Sequence, residues 1–122
     1  MTSLQPCNRW LELEQVGPIT VVRFTRRSIL EEEGIAALAE ELSGALAEQE
    51  RPQVVLNFRN VESLSTFMVS KLLTLHKRIE AAGGQMALCE ISPFLREIFK
   101  IVRLPMYVRI FEEEQDALGD LW

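Results

Sequence analysis

Residues 54–58 read Val-Val-Leu-Asn-Phe, a nearly unbroken apolar and β-branched run that starts just after Pro52. A strand whose alternate side-chain sets are both apolar has no face to offer water. It must lie inside a sheet covered on both sides. That requirement calls for helices above and below the sheet, and the remainder of the chain carries the matching periodicities.

Residues 10–16 alternate apolar and polar, Gly17-Pro18 interrupts them, and residues 19–25 form a second extended stretch, the signature of a hairpin. Ser28 and Glu31 stand at capping-box spacing. Ile35, Leu38, Leu42, Ala45 and Leu46 then recur at helical intervals, which predicts an amphipathic helix over residues 31–49. After the apolar strand comes a long helix that Gly83-Gly84 ends at about Ala82. Residues 85–89 read as another buried strand. Ser92-Pro93 places a hydroxyl at a cap and proline at the first helical position, and Phe94, Leu95, Ile98, Phe99 and Val102 give that helix a broad apolar face. After Leu104-Pro105, residues 108–111 predict a last strand and residues 113–121 a terminal helix with acids in its first turn. The expected order is β-β-α-β-α-β-α-β-α. This is an α/β chain with a mixed, mostly parallel sheet built from right-handed crossovers. One domain over residues 1–122 is expected, with residues 1–9 as an amino-terminal segment.

Charge excludes some roles. Thirteen basic against eighteen acidic residues give a net charge of −5, whereas a nucleic-acid binder normally carries a basic excess. Cys7 and Cys89 form no CxxC pair, and Cys89 sits in an apolar run as a small core residue. The first ten residues lack the basic and apolar regions of a signal peptide, and no apolar run reaches the ~20 residues of a membrane span. A cytoplasmic protein without direct membrane insertion is the expectation. No glycine loop for phosphate, metal-spaced His/Cys cluster or nucleophile elbow is present. The acidic runs 31–33 and 112–114 stand at helix starts, where solvated carboxylates are expected. Neither an enzyme nor a cofactor or metal binder is predicted.

The residues that discriminate between functions stand where the long helix begins. Placed at ~100° intervals, Met68, Val69, Leu72, Leu73, Leu75, His76 and Ile79 fall in one arc, the core face. His76 is then a packed histidine with one hydrogen bond. Phe67 projects to the other side with Ser70, Lys71, Thr74 and Arg78, an aromatic that either forms part of a docking surface or is covered by a neighbouring loop or the amino-terminal segment. Ser65 and Thr66 form a hydroxyl pair at the helix N-terminus. Such a pair serves as a plain cap, or as a phosphate acceptor where the helix dipole accommodates added negative charge.

The element order, the apolar strand, Asn57 at a position often held by aspartate, Ala82-Gly83-Gly84, the Ser92-Pro93 cap, the Leu-Pro turn and the acidic last helix together resemble the STAS family. Its members include bacterial anti-sigma factor antagonists and related signalling scaffolds. The resemblance covers nearly the whole chain. The family's strand-helix loop usually reads Asp-Ser-Ser-Gly; here Ser65-Thr66-Phe67-Met68 stand in those places. Ser65 thus replaces the aspartate, Phe67 the second serine and Met68 the glycine, while Thr66 falls on the serine that a partner kinase phosphorylates. The resemblance implies phosphorylation at Thr66, with Ser65 as the next acceptor. It implies a partner surface of Ser63, Ser65, Thr66, Phe67, Ser70 and Lys71 for an anti-sigma factor of the serine/threonine kinase type. The alternative it implies is a constitutive binding subunit of a transporter or signalling scaffold without a phosphorylation cycle. A monomer or a weak dimer through the edge strand at residues 10–16 is expected, with Glu12 and Glu14 protecting that edge.

Overall fold

The structure is a computed structural model that describes residues 11–25, 27–29, 40, 44 and 50–121. Five strands form the main sheet in the order β1-β2-β4-β6-β7. They are β1 (Leu11–Val16), β2 (Ile19–Phe24), β4 (Gln53–Asn57), β6 (Gln85–Cys89) and β7 (Arg109–Phe111). The β1–β2 hairpin is antiparallel, and the other three pairings are parallel. Helices α1 (Thr66–Ala81), α2 (Pro93–Ile101) and α3 (Glu114–Leu121) alternate with the parallel strands. Two further strands, β3 (Ser28–Ile29) and β5 (Ser63–Leu64), pair in parallel apart from the main sheet.

The apolar run takes the middle position, and its period of two sorts the core into two layers. Val54, Leu56 and Phe58 face one side with Val22, Phe24, Met86 and Leu88, against Met68, Val69, Leu72 and Ile79 of α1 and Leu95 and Phe99 of α2. Val55 faces the other side with Ile19, Val21, Ala87 and Cys89, against Ala117 of α3. Phe58 joins the strand end to the helices. Its ring centroid lies 4.8 Å from that of Phe24 and 5.9 Å, edge-on, from that of Phe99, geometries that add to plain burial.

Helix α1 stops as its glycine pair requires. The Gly84 amide donates to the Ile79 carbonyl at 2.8 Å and the Gly83 amide to that of Glu80 at 2.9 Å. This is the two-bond closure of a left-handed helix end, with Gly83 at φ +81°. Gly84 is needed for a different reason. A Cβ there would meet the Pro52 carbonyl oxygen at 2.0 Å, because Gln85 donates to that same oxygen at 2.9 Å as β6 starts beside β4.

Some expectations need correction. Ser28 is not a helix cap but part of β3, paired with Ser63 of β5; its capping partner Glu31 lies outside the described residues. Of the helix expected over residues 31–49, only Glu40 and Gly44 are described, and both are helical. The apolar face of α2 is narrower than its periodicity suggests. Leu95 and Phe99 are buried and Ile98 and Val102 partly so, but Phe94 is exposed. No helix of the described residues is long and apolar enough to cross a membrane.

Gly84→Ala forces backbone apart at a packed strand start and is expected to cost at least about 2 kcal/mol in urea unfolding. Gly83→Ala meets only left-handed strain, about 1 kcal/mol. The order of the two losses is the check.

Candidate functional site

The carboxyl ends of β2, β4 and β6 lie side by side, so residues at these strand ends meet. Arg23 pairs in register with Asn57, and Asn57 with Cys89. Asn57 is buried, and a buried side-chain amide must find partners. Its Nδ2 donates to Glu114 Oε1 at 2.8 Å and to Glu90 Oε2 at 3.4 Å, and its Oδ1 accepts from the Arg59 amide at 2.8 Å. Arg23 donates to both oxygens of Glu114, at 3.2 and 2.8 Å, and to Glu14 at 2.7 Å. Glu90, held at φ +54°, accepts from the first amide of α3, that of Glu114, at 3.2 Å. The carboxylate of a β6 neighbour thereby caps another helix, which offsets the cost of its own left-handed backbone.

Burial by itself would raise the Glu114 pKa, but hydrogen bonds from Arg23 and Asn57 and the charge of Arg23 outweigh it and hold the carboxyl below its usual range. Arg23 is raised in turn, chiefly by its hydrogen bond to Glu114. Desolvation, reinforced by Glu114 and Glu90, pushes the Cys89 thiol up to about 12, so Cys89 is a protonated core residue rather than a nucleophile. Sequence reasoning took Glu114 for a solvated acid; it is instead the partly buried anchor between α3 and the sheet. An open cavity of about 590 Å³ lies against this group, lined by Arg23, Asn57, Arg59, Asn60, Glu90 and Glu114. Two cations and two carboxylates line it, so its formal charges cancel. Among the described residues no group of three or more His, Cys, Asp or Glu side chains could hold a metal.

From this edge the chain turns through residues 59–62. Val61 donates to the Phe58 carbonyl at 2.9 Å, and the Glu62 and Ser63 amides both donate to the Arg27 carbonyl, at 2.7 and 3.0 Å. Pairing of β5 with β3 then delivers Ser65 in extended backbone, φ −83° and ψ 158°, directly before α1. Ser65 Oγ accepts from the Met68 amide at 3.1 Å, the standard service of an N-cap hydroxyl. Thr66 is the first helical residue and is exposed, and the first turn holds no acidic residue.

The remaining candidates cluster beside it. Phe67 is 38% exposed, and the Lys71 ammonium lies 5.1 Å from its ring centroid, within cation–π range. Ser70 Oγ donates to the Phe67 carbonyl at 2.8 Å, and Ser63 sits in β5, two residues before the cap. Ser63, Ser65, Thr66, Phe67, Ser70 and Lys71 therefore occupy one strand-loop-helix junction. His76 lies elsewhere on α1, toward the core as its arc predicts, but without the expected hydrogen bond. Among the described residues its buried Nδ1 has no hydrogen-bond partner, and Nε2 is 3.8 Å from a Glu80 oxygen.

Asn57→Asp removes the only Nδ2 donor between two carboxylates and adds a third negative charge. Denaturant unfolding at neutral pH is expected to show a loss of about 1–3 kcal/mol. An unchanged midpoint would remove the hydrogen-bonded group from this account.

Comparison with known proteins agrees with this architecture. The STAS domain model matches residues 11–117. An anti-sigma F factor antagonist of Paenibacillus polymyxa is 22% identical over 114 residues, covering 93% of this chain and 96% of that protein. Among solved structures, an anti-sigma-factor antagonist (STAS) domain protein from Planctomyces limnophilus superposes with a TM-score of 0.81 at 21% identity, covering 91% of this chain and 97% of the other. The Bacillus cell fate determinant SpoIIAA in its phosphorylated form gives 0.71 at 20% identity, covering 92% and 99%. With the family model spanning both the sheet and the loop-helix junction, the chain belongs to the STAS domain family.

Proposed function

We propose that this chain is a regulatory protein of the anti-sigma factor antagonist type, acting in the cytoplasm by binding rather than catalysis. Its partner is an anti-sigma factor or similar serine/threonine kinase, held through Ser63, Ser65, Thr66, Phe67, Ser70 and Lys71, and phosphate on Thr66 switches the contact. The observation that carries this reading is the division between the two hydroxyls. Ser65 is engaged as the cap, whereas Thr66 stands exposed at the first helical residue. Supporting it are the relative named as an anti-sigma F factor antagonist and the fold neighbour solved in a phosphorylated form.

The energetics favour a switch without refolding. Phosphate adds about −1.5 to −2 charges, and the N-terminus of α1 offsets about 0.3–1 kcal/mol of that in the free domain. Against a partner carboxylate ~6 Å away, at an effective dielectric near 20, repulsion amounts to roughly 5 kcal/mol. Affinity falls on the order of a thousandfold. A basic partner surface reverses the sign.

Intact-mass measurement of the protein from its native cells, with peptide mapping across residues 60–71, is expected to find one phosphate on Thr66 that Thr66→Ala abolishes. Affinity capture is expected to retain the kinase-type partner with Thr66→Ala and lose it with Thr66→Glu. An unmodified Thr66 under growth and stress alike, with capture indifferent to both substitutions, would give preference to the constitutive subunit of a transporter or scaffold.

A further inference from the structure

The exposed large apolar side chains are unevenly placed. Among the described residues Phe94, Ile101, Met106 and Tyr107 fall within fourteen consecutive positions, and only Leu13 and Phe67 lie elsewhere. Phe94 and Ile101 are seven residues apart and share a face of α2, while Leu95 and Phe99 face the core. This short helix thus carries a second apolar stripe directed outward. Beyond it the chain tightens into a 3-10 turn, Leu104–Met106. Leu104 is fully buried and pins the turn, leaving Met106 71% and Ile101 80% exposed. Arg103, which leads into the turn, is held at φ +60° with no side-chain hydrogen bond to the turn. A non-glycine residue in that region costs about 1 kcal/mol.

The charge of this segment opposes that of the chain. Residues 94–109 hold Arg96, Lys100, Arg103 and Arg109 against Glu97 alone, a local excess of +3 in a chain of −5. Three of these cations already have carboxylates. Arg96 lies 3.3 Å from Glu112, Lys100 3.9 Å from Glu97, and Arg109 pairs with Asp120. Arg103 forms no ion pair among the described residues. One such cation falls short of the cluster of roughly four to eight that holds a protein to an anionic membrane. Phenylalanine, methionine, tyrosine and arginine are instead the residues enriched at protein–protein contacts.

Topology separates this surface from Thr66. Helix α2 runs back from the carboxyl end of β6, so Ile101 and the 3-10 turn lie at the edge where β6 begins. Thr66 stands at the opposite edge, beyond the end of β4. The 16 residues of α1 span that gap, ~24 Å, several times the ~8 Å screening length at physiological salt.

We infer that Ile101, Arg103, Met106 and Tyr107 form a second docking surface for an acidic protein segment. That partner sets apolar side chains against Ile101, Met106 and Tyr107 and a carboxylate on Arg103, and its binding is indifferent to phosphate on Thr66. The chain is then a two-faced adaptor, with one regulated contact and one standing contact.

The test places the photo-crosslinking residue benzoylphenylalanine at Met106 of the full chain in its native cells, with exposed Gln115 as the control position, and sequences the crosslinked peptide. The expected result is one crosslinked protein, absent from the Gln115 control, whose contacted peptide is rich in aspartate and glutamate. With that protein in hand, Arg103→Glu is expected to weaken binding about tenfold or more. Tyr107→Ser gives an independent reading should Arg103→Glu disturb the turn. Thr66→Ala and Thr66→Glu are expected to leave the affinity unchanged. A Met106 pattern no different from the control, a crosslink to a basic peptide or to a second copy of this chain, or sensitivity to Thr66→Glu overturns the inference. So does co-sedimentation of the purified chain with phosphatidylglycerol vesicles that Arg103→Glu abolishes.

Discussion

Burial of β4 on both faces is the constraint on which the rest of this molecule depends. Val54, Val55 and Leu56 are wholly inaccessible, so helices must cover both sides of the sheet, and crossovers must bring every parallel strand out at the same edge. Within β4, polarity is then confined to the strand's ends. At the carboxyl end the strand terminates in Asn57, beside the guanidinium of Arg23 and the carboxylates of Glu90 and Glu114. A buried amide left unpaired there would cost about 1–3 kcal/mol. Instead it is shared among three neighbours, and the same bonds seat α3 and turn the chain toward α1.

The candidate switch is the next consequence of that edge. Two amides on one Arg27 carbonyl and a two-residue strand pair place Ser65 in extended backbone. A cap oxygen needs that conformation to reach the amide three residues on. With the helix start settled by Ser65, the following hydroxyl is not required for folding. On the proposed reading Thr66 therefore carries a signal at little structural cost, beside the Phe67 ring over which the Lys71 ammonium lies.

Much of this was legible in the chain because it rests on local periodicity. Strand β6, the two-glycine stop of α1, the Ser92 cap and the core arc of α1 all follow from spacing within one element. The misses are contacts between distant segments. The spacing of Ser28 to Glu31 suggested a cap, but the pairing of β3 with β5 joins residues 35 positions apart and leaves no trace in propensity. Glu114 looked like any acid in a first helical turn, because its partners Arg23 and Asn57 lie 91 and 57 positions away. One signal was available. Arg23 is the lone charge in a largely apolar strand, and a parallel β2–β4 pairing puts it next to Asn57, itself the polar residue of β4's apolar run. Phe94 was misplaced because periodicity counts apolar residues on a helix, not how much of its circumference the neighbours can cover.

The central claim is that the two hydroxyls at the start of α1 have separate duties, one in folding and one in signalling. It is tested most directly by urea unfolding of Ser65→Ala and Thr66→Ala, measured side by side against the parent chain. The account predicts a loss of about 1 kcal/mol for Ser65→Ala and a change within about 0.5 kcal/mol for Thr66→Ala. A stability loss concentrated in Thr66→Ala, with Ser65→Ala unchanged, would make Thr66 the structural cap and contradict the assignment.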